Sequence, residues 1–393
     1  MKVLYIHQYF KTPEEGGAIR SYYLAKGMVD HGIEVELITS HNKKKAEIRN
    51  IDGIKVHYLP VYYDATLGFF GRVYSFFKFM RMVRRYAHNI KNIDVCYATS
   101  TPLTIGVSAM NIKRDLKVPY LFEVRDLWPD APVQMGVIKN KWLKKYLKYL
   151  EAKVYKNANK IVALSPGIRD EIVQTNNNIE VALIPNMADV DFFQKENKLP
   201  ELENTFGVKN KFVVSYFGAI GKANHLEYLL AAANACLKKQ LPVKFLIIGV
   251  GAELEKLKYL VRHFDLSNVE FISFQNKFNL HRVLNITDAA YVSFANKPIL
   301  ETNSPNKFFD ALASGKLIIT NTKGWVKDIC EKNVCGFYAD PERPDSFASS
   351  IKKFIDDPEI LETFQTNARA VGESEFSKNA QVEKLIKALT LEG

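Results

Sequence analysis

No stretch of this 393-residue sequence approaches the ~20 consecutive apolar residues that a membrane-spanning helix needs. A helical integral membrane protein is therefore excluded as a reading. Cysteine is scarce: Cys96, Cys236, Cys330 and Cys335 are scattered along the chain. A reduced, cytoplasmic protein is the simplest account of that spacing, and Cys330 and Cys335 are too isolated to form a metal knuckle. No G-x-x-x-x-G-K-[ST] is present, so there is no P-loop. The segment "IIGVGAELEKL" (247–257) has Gly249 and Gly251, but Leu254 stands at the third glycine position of a dinucleotide fingerprint. A nicotinamide site thereby loses its best motif. Residues 69–91 contain no carboxylate at all.

What is present is a globular composition, 47% hydrophobic and 25% charged, with a net charge of +11. Such a charge suits nucleic acid, an anionic membrane or a phosphorylated substrate, so its distribution must decide. Strand-length apolar runs alternate with amphipathic helical segments. In the first half the strands fall at 3–7, 34–39, 54–59, 94–100, 119–124 and 160–165, with helices near 17–31, 69–90, 103–114 and 141–158. The stretch 181–207 is polar and irregular and reads as a linker. The alternation then restarts with strands at 211–218, 244–251, 269–274, 288–294, 316–321 and 335–340, followed by a helical tail. This is repeated β-α-β, and it predicts an α/β protein of two Rossmann-like, doubly wound domains facing across a cleft. The expected domains are 1–190 and 191–370, with 371–393 a terminal helix that can cross back to the first.

Ligands of such sheets bind at the carboxyl ends of the strands, which selects the loops to read. After the first strand, Gly16 and Gly17 precede a helix and let backbone approach an anion, or form a plain turn. After the strand 119–124, "EVRDLWPDAP" sets Glu123, Arg125 and Asp126 in a rigid mixed-charge loop; an internal ion pair is the competing account. After the strand 211–218, Gly218 and Gly221 loosen a turn in which Lys222 can meet a phosphate or remain a solvated lysine. In "ETNSPNKFFDALASGK" (301–316), Ser304 reads as an N-cap and Pro305 as the first helical residue, which puts Lys307 at the positive end of a helix dipole. A cation there is unfavourable by roughly 0.3–1 kcal/mol. Either Lys307 pairs with Asp310 on the same face, or Ser304, the Asn306 and Lys307 amides and the Lys307 ammonium hold a diphosphate, with Asp310 accepting from a ribose.

The basic charge concentrates on "FFGRVYSFFKFMRMVRRYAHNIK" (69–91). Phe69, Val73, Phe76, Phe77, Met80 and Val83 fall on one helical face, with Phe70 beside them. Arg72, Lys78, Arg81, Arg84 and Arg85 flank or oppose that face. That is the pattern of a helix in an anionic membrane interface, or of a core helix with a solvated basic face. The helix 139–156 is also rich in lysine and aromatics. The aromatics are not interleaved for base stacking, so no nucleic-acid partner is expected.

These segments resemble the retaining nucleotide-sugar glycosyltransferases of the GT-B fold, glycosyltransferase family four, along nearly the whole chain. The resemblance is carried by the Gly16–Gly17 loop with "LAKGMVDHGIEVELIT", by "VALSPGIRDEI…VALIPNMADVDFF" and by "SPNKFFDALASGKLIIT". Within the family, "FEVRDLWPD" and "FGAIGKANHLEYLLAAA" are most similar to bacterial surface-polysaccharide enzymes that act on lipid-linked acceptors. The resemblance implies a UDP-sugar donor, a lipid-linked or glycan acceptor, retention of configuration, and work at the inner face of the plasma membrane. It implies that Lys307, Lys222 and the Ser304–Pro305–Asn306 turn hold the diphosphate, that Asp310 binds the ribose, and that Gly16, Gly17, Gly218 and Gly221 approach the donor. Asp126 would orient the acceptor hydroxyl, with Glu123 and Arg125 on the acceptor side. No metal and no further cofactor is expected, since "DVD" (189–191) falls in the linker.

The chain departs from the family in three places. The E-x7-E pattern becomes Thr302 and Asp310, the usual arginine and lysine of the 218–225 loop become Ala219 and Asn224, and a usual histidine becomes Arg125. Two alternatives follow: a catalytically silent partner protein, or a nucleotide-sugar epimerase of the same fold.

Overall fold

The computed structural model describes residues 1–390 except 17–18, 65–66 and 177–178, and the side chain of Phe69 also lies outside the described part. The chain forms two compact units. The first comprises Met1–Pro185, Thr302–Ser304 and the segment from Lys378; the second comprises Asn186–Glu301 and Pro305–Ser377.

The first unit runs β1 (Lys2–Ile6), α1 (Arg20–Asp30), β2 (Glu34–His41), β3 (Glu47–Ile51), β4 (Ile54–Pro60), α2 (Phe69–Ala87) and β5 (Val95–Thr99). It continues with α3 (Thr104–Leu116), β6 (Tyr120–Val124), α4 (Asp130–Gln134), α5 (Lys141–Asn157), β7 (Lys160–Ala163), α6 (Pro166–Thr175) and β8 (Val181–Leu183). Its eight-stranded sheet has the order β3-β4-β2-β1-β5-β6-β7-β8. All neighbours are parallel except β3 and β4, which form a hairpin through Asp52 and Gly53, both at positive φ. The residues read as a linker from 181 therefore begin with an edge strand, β8, paired in parallel with β7.

The second unit runs α7 (Pro200–Thr205), β9 (Phe212–Phe217), α8 (Glu227–Lys238), β10 (Val243–Ile248), α9 (Leu254–His263), β11 (Val269–Ile272), α10 (Lys277–Asn285) and β12 (Ala289–Val292). It ends with α11 (Pro298–Glu301), α12 (Asn306–Ala313), β13 (Leu317–Thr320), α13 (Trp325–Lys332), β14 (Gly336–Tyr338), α14 (Pro344–Asp356) and α15 (Pro358–Ser374). The six parallel strands take the order β11-β10-β9-β12-β13-β14. The last helix, α16 (Lys378–Leu389), packs on α1 of the first unit. Gly27 admits it: a Cβ there would stand 2.3 Å from a Val382 methyl.

Both sheets are buried on both faces, so their central strands read as apolar runs rather than as alternations. Tyr5, Tyr97 and Phe122 in the first, and Tyr216 and Phe245 in the second, are among the largest fully buried side chains.

An ion pair is buried inside the first unit. Arg20, at the start of α1, donates from Nε (3.0 Å) and Nη2 (2.9 Å) to Glu123 of β6, and both side chains are buried. Arg20 also donates to the carbonyls of Ile184 (2.8 Å) and Pro185. Tyr97 and Thr99 donate to the same Glu123 carboxylate. Burial opposes its charge, yet Arg20 beside it holds the carboxyl below its usual range. Removing one partner of such a pair leaves the other charged and dry. Arg20→Met is expected to cost about 3–5 kcal/mol in urea unfolding followed on the first unit, and adding Glu123→Gln to recover part of that loss.

Candidate functional site

In each sheet the strand order reverses beside the first strand of its unit. In open α/β sheets ligands bind at that switch point, outside the carboxyl ends of the strands. In the second unit this is the junction of β9 and β12, where the loops 218–226 and 293–305 emerge.

α12 begins there. Its N-cap is Pro305, in an extended conformation, and no side chain caps the helix. The helix therefore starts at Asn306, one residue later than the Ser304 cap predicts, and Lys307 stays in its first turn. The Asn306 and Lys307 amides donate to no carbonyl among the described residues. The Lys307 ammonium does not turn to Asp310. It donates to Tyr216 Oη and Asn224 Oδ1, each at 3.0 Å. It also lies 4.2 Å from the Tyr216 ring centre and 5.3 Å from that of Phe294. Among the described residues no carboxylate pairs with it. Burial accordingly pushes the lysine down to about 7. Phe308 and Phe309 anchor the helix from below, packing against Trp325 and Phe376.

The facing loop is held by backbone contact. Tyr216 Oη and Asn224 Nδ2 both donate to the Ala219 carbonyl (2.6 and 2.9 Å). Gly218 N–H donates to Ile248 O and Ile220 N–H to Val250 O. That approach explains the two glycines of "IIGVG". A Cβ at Gly249 would stand 1.9 Å from Gly218 O, and one at Gly251 2.1 Å from Ile220 O. Gly218 itself, at φ +144, lies under Lys307: a Cβ there would be 3.4 Å from Lys307 Cε. Gly221 and the exposed Lys222 sit in the same loop.

Asp310 lies one turn after Lys307. Lys277, whose charge acts on it, pairs with Asp189 and stands 4.1 Å from the centre of the Phe192 ring. Burial, with Asp189 adding to it and Lys277 opposing, raises the Asp310 carboxyl to about 7. The first aspartate of "DVD" thus holds a lysine and accepts from the Phe192 amide (3.3 Å). Local reading missed Tyr216, Asn224 and Phe294 as partners of Lys307 and Lys277 as a neighbour of Asp310. Only the placement of Asn224 in the loop after β9 hinted at one of them.

In the first unit the switch point lies between β1 and β5. His7, just past β1, is buried and faces Arg125 Nη1 across 3.4 Å. Arginine only donates, so Nε2 of His7 accepts and Nδ1 carries the proton, with no partner among the described residues. Burial and Arg125 hold this imidazole well below its usual range, hence neutral. The Arg125 amide donates to Ser100 Oγ (3.0 Å). Burial raises the Asp126 carboxyl and Arg125 opposes that shift. Glu123, expected on the acceptor side, is instead closed off by Arg20, Tyr97 and Thr99. Gly16 is at φ +69, while Gly17 lies outside the described residues.

On α2 the buried residues are Ser75, Phe79, Val83 and Ala87; of the face expected from the sequence Val83 is buried, Val73, Phe76 and Met80 are partly buried, and Phe77 is exposed. Phe76 is partly buried and stacks on Tyr63. Phe70 and Phe77 are exposed, as are Arg72, Arg81, Arg84 and Arg85; the Phe69 side chain lies outside the described part.

Comparison with known proteins agrees with this architecture. Residues 15–187 match the glycosyl transferase 4-like domain, and residues 200–371 match the glycosyl transferases group 1 family. The capsular polysaccharide biosynthesis glycosyltransferase CapM of Staphylococcus aureus is 24% identical over 384 residues, covering 93% of each chain. Among solved structures, sucrose-phosphate synthase from Thermosynechococcus elongatus superposes with a TM-score of 0.79 at 16% identity, over 98% of each chain. Anabaena HepE in complex with UDP and glucose gives 0.72 at 18% identity, over 99% of each.

Gly249→Ala is expected to cost about 2 kcal/mol in thermal unfolding, because its methyl must displace the Gly218 carbonyl. The loop that carries Asn224 should loosen with it.

Proposed function

The chain is a GT-B glycosyltransferase, a glycosyl transferase 4-like domain joined to a group 1 domain, and we propose that it transfers a sugar with retention from a UDP-sugar to a lipid-linked or glycan acceptor of surface polysaccharide synthesis. The observation that carries this reading is Lys307: an ammonium without a counter-ion, beside two free amides at a helix start. Such a site lacks only an anion. A diphosphate bound there supplies the missing charge, and Lys222 in the facing loop adds a second cation.

Breaking the anomeric C–O bond leaves negative charge on the departing diphosphate. Donors fixed before the reaction stabilise that charge without reorganising, and this is the catalytic role we assign to Lys307, Lys222 and the first turn of α12. The turn Ser304–Pro305–Asn306 delivers those amides, Gly218 and Gly221 leave room for the phosphates, and Asp310 is assigned to the ribose. In the first unit, Gly16 and Gly17 are assigned to donor approach. Asp126, beside Arg125, is assigned to orienting the acceptor hydroxyl, with the leaving phosphate taking its proton in a front-face substitution. No divalent ion is invoked, since the cations of the chain do that work.

The UDP of Anabaena HepE supports the choice of base, and the capsular role in the name of the Staphylococcus aureus relative supports the class of acceptor. A lipid-borne acceptor puts the enzyme at the inner face of the plasma membrane, with the exposed basic side of α2 toward it.

Thermal stabilisation by UDP, GDP and ADP tests the reading. At ~100 times its dissociation constant, UDP should add about 2.7 kcal/mol to the wild type and nothing to Lys307→Ala, and EDTA should not change either result. If no nucleotide stabilises the wild type, a silent partner protein replaces this function.

The pH dependence follows from the same lysine. Without ligand Lys307 titrates near 7, and the bound anion favours the ammonium. Above about pH 7, binding must therefore take up a proton, so UDP affinity should fall with rising pH by up to about tenfold per unit. Lys307→Ala should show no such slope in calorimetric titrations.

A further inference from the structure

We propose that Cys330 and Cys335 form a redox pair, two thiols that close to a disulfide across the last turn of α13 and so lock that helix to β14. The pair lies within the second unit, and the proposal does not depend on the transferase reading.

The turn is built outward from the end of α13 (Trp325–Lys332). The Cys335 amide donates to the Cys330 carbonyl (3.0 Å), and the Val334 amide to the Glu331 carbonyl (3.3 Å). Val334 stands in the left-handed region, at φ +49. Two such bonds around one left-handed residue make a Schellman motif, which sets its first and sixth residues side by side. An apolar contact between those two commonly closes it. Here they are Cys330 and Cys335, and both are buried. The Cys335 sulfur lies 3.9 Å from the Ile329 carbonyl oxygen, so this side chain turns back onto the helix end. A hydrogen bond between the two thiols, and then burial, hold the Cys330 thiol well above its usual range. A disulfide spans α-carbons roughly 4.4–6.8 Å apart, a separation that a direct bond between the two main chains allows. Cys96 on β5 and Cys236 on α8 belong to other elements.

The same turn supplies the route to the thiols. Glu331, Lys332 and Val334 are exposed. Valine is a poor occupant of the left-handed region, because its branched Cβ crowds the main chain; glycine is the usual choice. Asn367 of α15 helps to hold it, donating from Nδ2 to the Val334 carbonyl (3.1 Å). A strained turn at the surface opens at lower cost than the sheet beneath it, and its opening uncovers both thiols.

The oxidant is a small disulfide such as oxidised glutathione. In the opened turn one cysteine loses its proton and attacks that disulfide, one small thiolate leaves, and a mixed disulfide remains. The second cysteine then attacks the protein sulfur of the mixed disulfide and expels the other small thiolate. Two protein thiols and one small disulfide thus give one protein disulfide and two small thiols, with two electrons passed to the small disulfide. Because Cys330 stays protonated while the turn is closed, the exchange is slow in the native state. The lock bears on the packing beneath α12, since Trp325 at the other end of α13 packs on Phe308 and Phe309.

The test uses the full-length protein incubated with oxidised glutathione, with and without urea below the unfolding transition, then alkylated and digested with trypsin. Trypsin cuts after Lys332, between the two cysteines, so the disulfide joins two peptides into one species that reduction separates. That species should appear, appear faster in the urea, and accompany a rise in melting temperature that dithiothreitol reverses. Cys330→Ala and Cys335→Ala should each abolish the joined species and the rise, and Cys96→Ala and Cys236→Ala should leave both as in the wild type. Val334→Gly keeps both thiols and relaxes the turn, so it should slow the joining. Absence of the joined species in the wild type overturns the proposal, as does a species that contains Cys96 or Cys236 instead, a fall in melting temperature on oxidation, or a rate that neither urea nor Val334→Gly changes.

Discussion

The second unit is arranged around an ammonium held at the positive end of a helix, with which no carboxylate pairs among the described residues. A lysine in a first helical turn is disfavoured by roughly 0.3–1 kcal/mol from the dipole alone, and burial adds to that. What offsets it is aromatic and neutral: the faces of Tyr216 and Phe294, the Tyr216 hydroxyl and the Asn224 carbonyl oxygen. These lie in register only because Gly249 and Gly251 let the loop after β9 settle backbone to backbone on the end of β10. The phenylalanine pair beneath α12 fixes the helix from the other side. Glycine spacing, core packing and loop geometry therefore serve one local imbalance of charge.

The first unit solves the matching position in the opposite way. At its own switch point a guanidinium and a carboxylate are brought together and buried, and the tyrosine and threonine next to them satisfy the remaining lone pairs. Arg20 has donors left over, and they go to the last two carbonyls before the second unit begins. Compensated charge here fixes the chain. In the other unit the charge is met only by neutral and aromatic groups among the described residues. The same contrast separates Glu123, neutralised and closed off, from Asp126 three residues later, whose carboxyl burial raises.

Much of the fold was legible in the sequence because it depends on period alone. Alternating apolar runs and amphipathic helices gave both sheets, and the strand-end rule led to Lys307. What escaped was local where turn chemistry was passed over and non-local where pairing decides. Asp52-Gly53, a two-residue hairpin turn, marked β3 and went unread. Lys307 and Asp310 have the spacing of an ion pair, but the true partners of Lys307 stand 91 and 83 residues away in Tyr216 and Asn224. On α2 aromatics occur on every side, so periodicity could not tell Phe77, which faces water, from Phe79, which is buried. Nor could the string "EVRD" say which carboxylate turns inward, since β6 is buried on both faces.

The return of α16 to α1 means that the first unit is assembled from stretches on both sides of the second in the sequence. On the ribosome, the face of α1 around Gly27 stays uncovered until Val382 has emerged, long after the rest of its unit has been made. The second unit between them is complete in sequence before that cover arrives. Synthesis stopped before Val382 would thus leave a finished second unit joined to a first unit whose α1 face is uncovered.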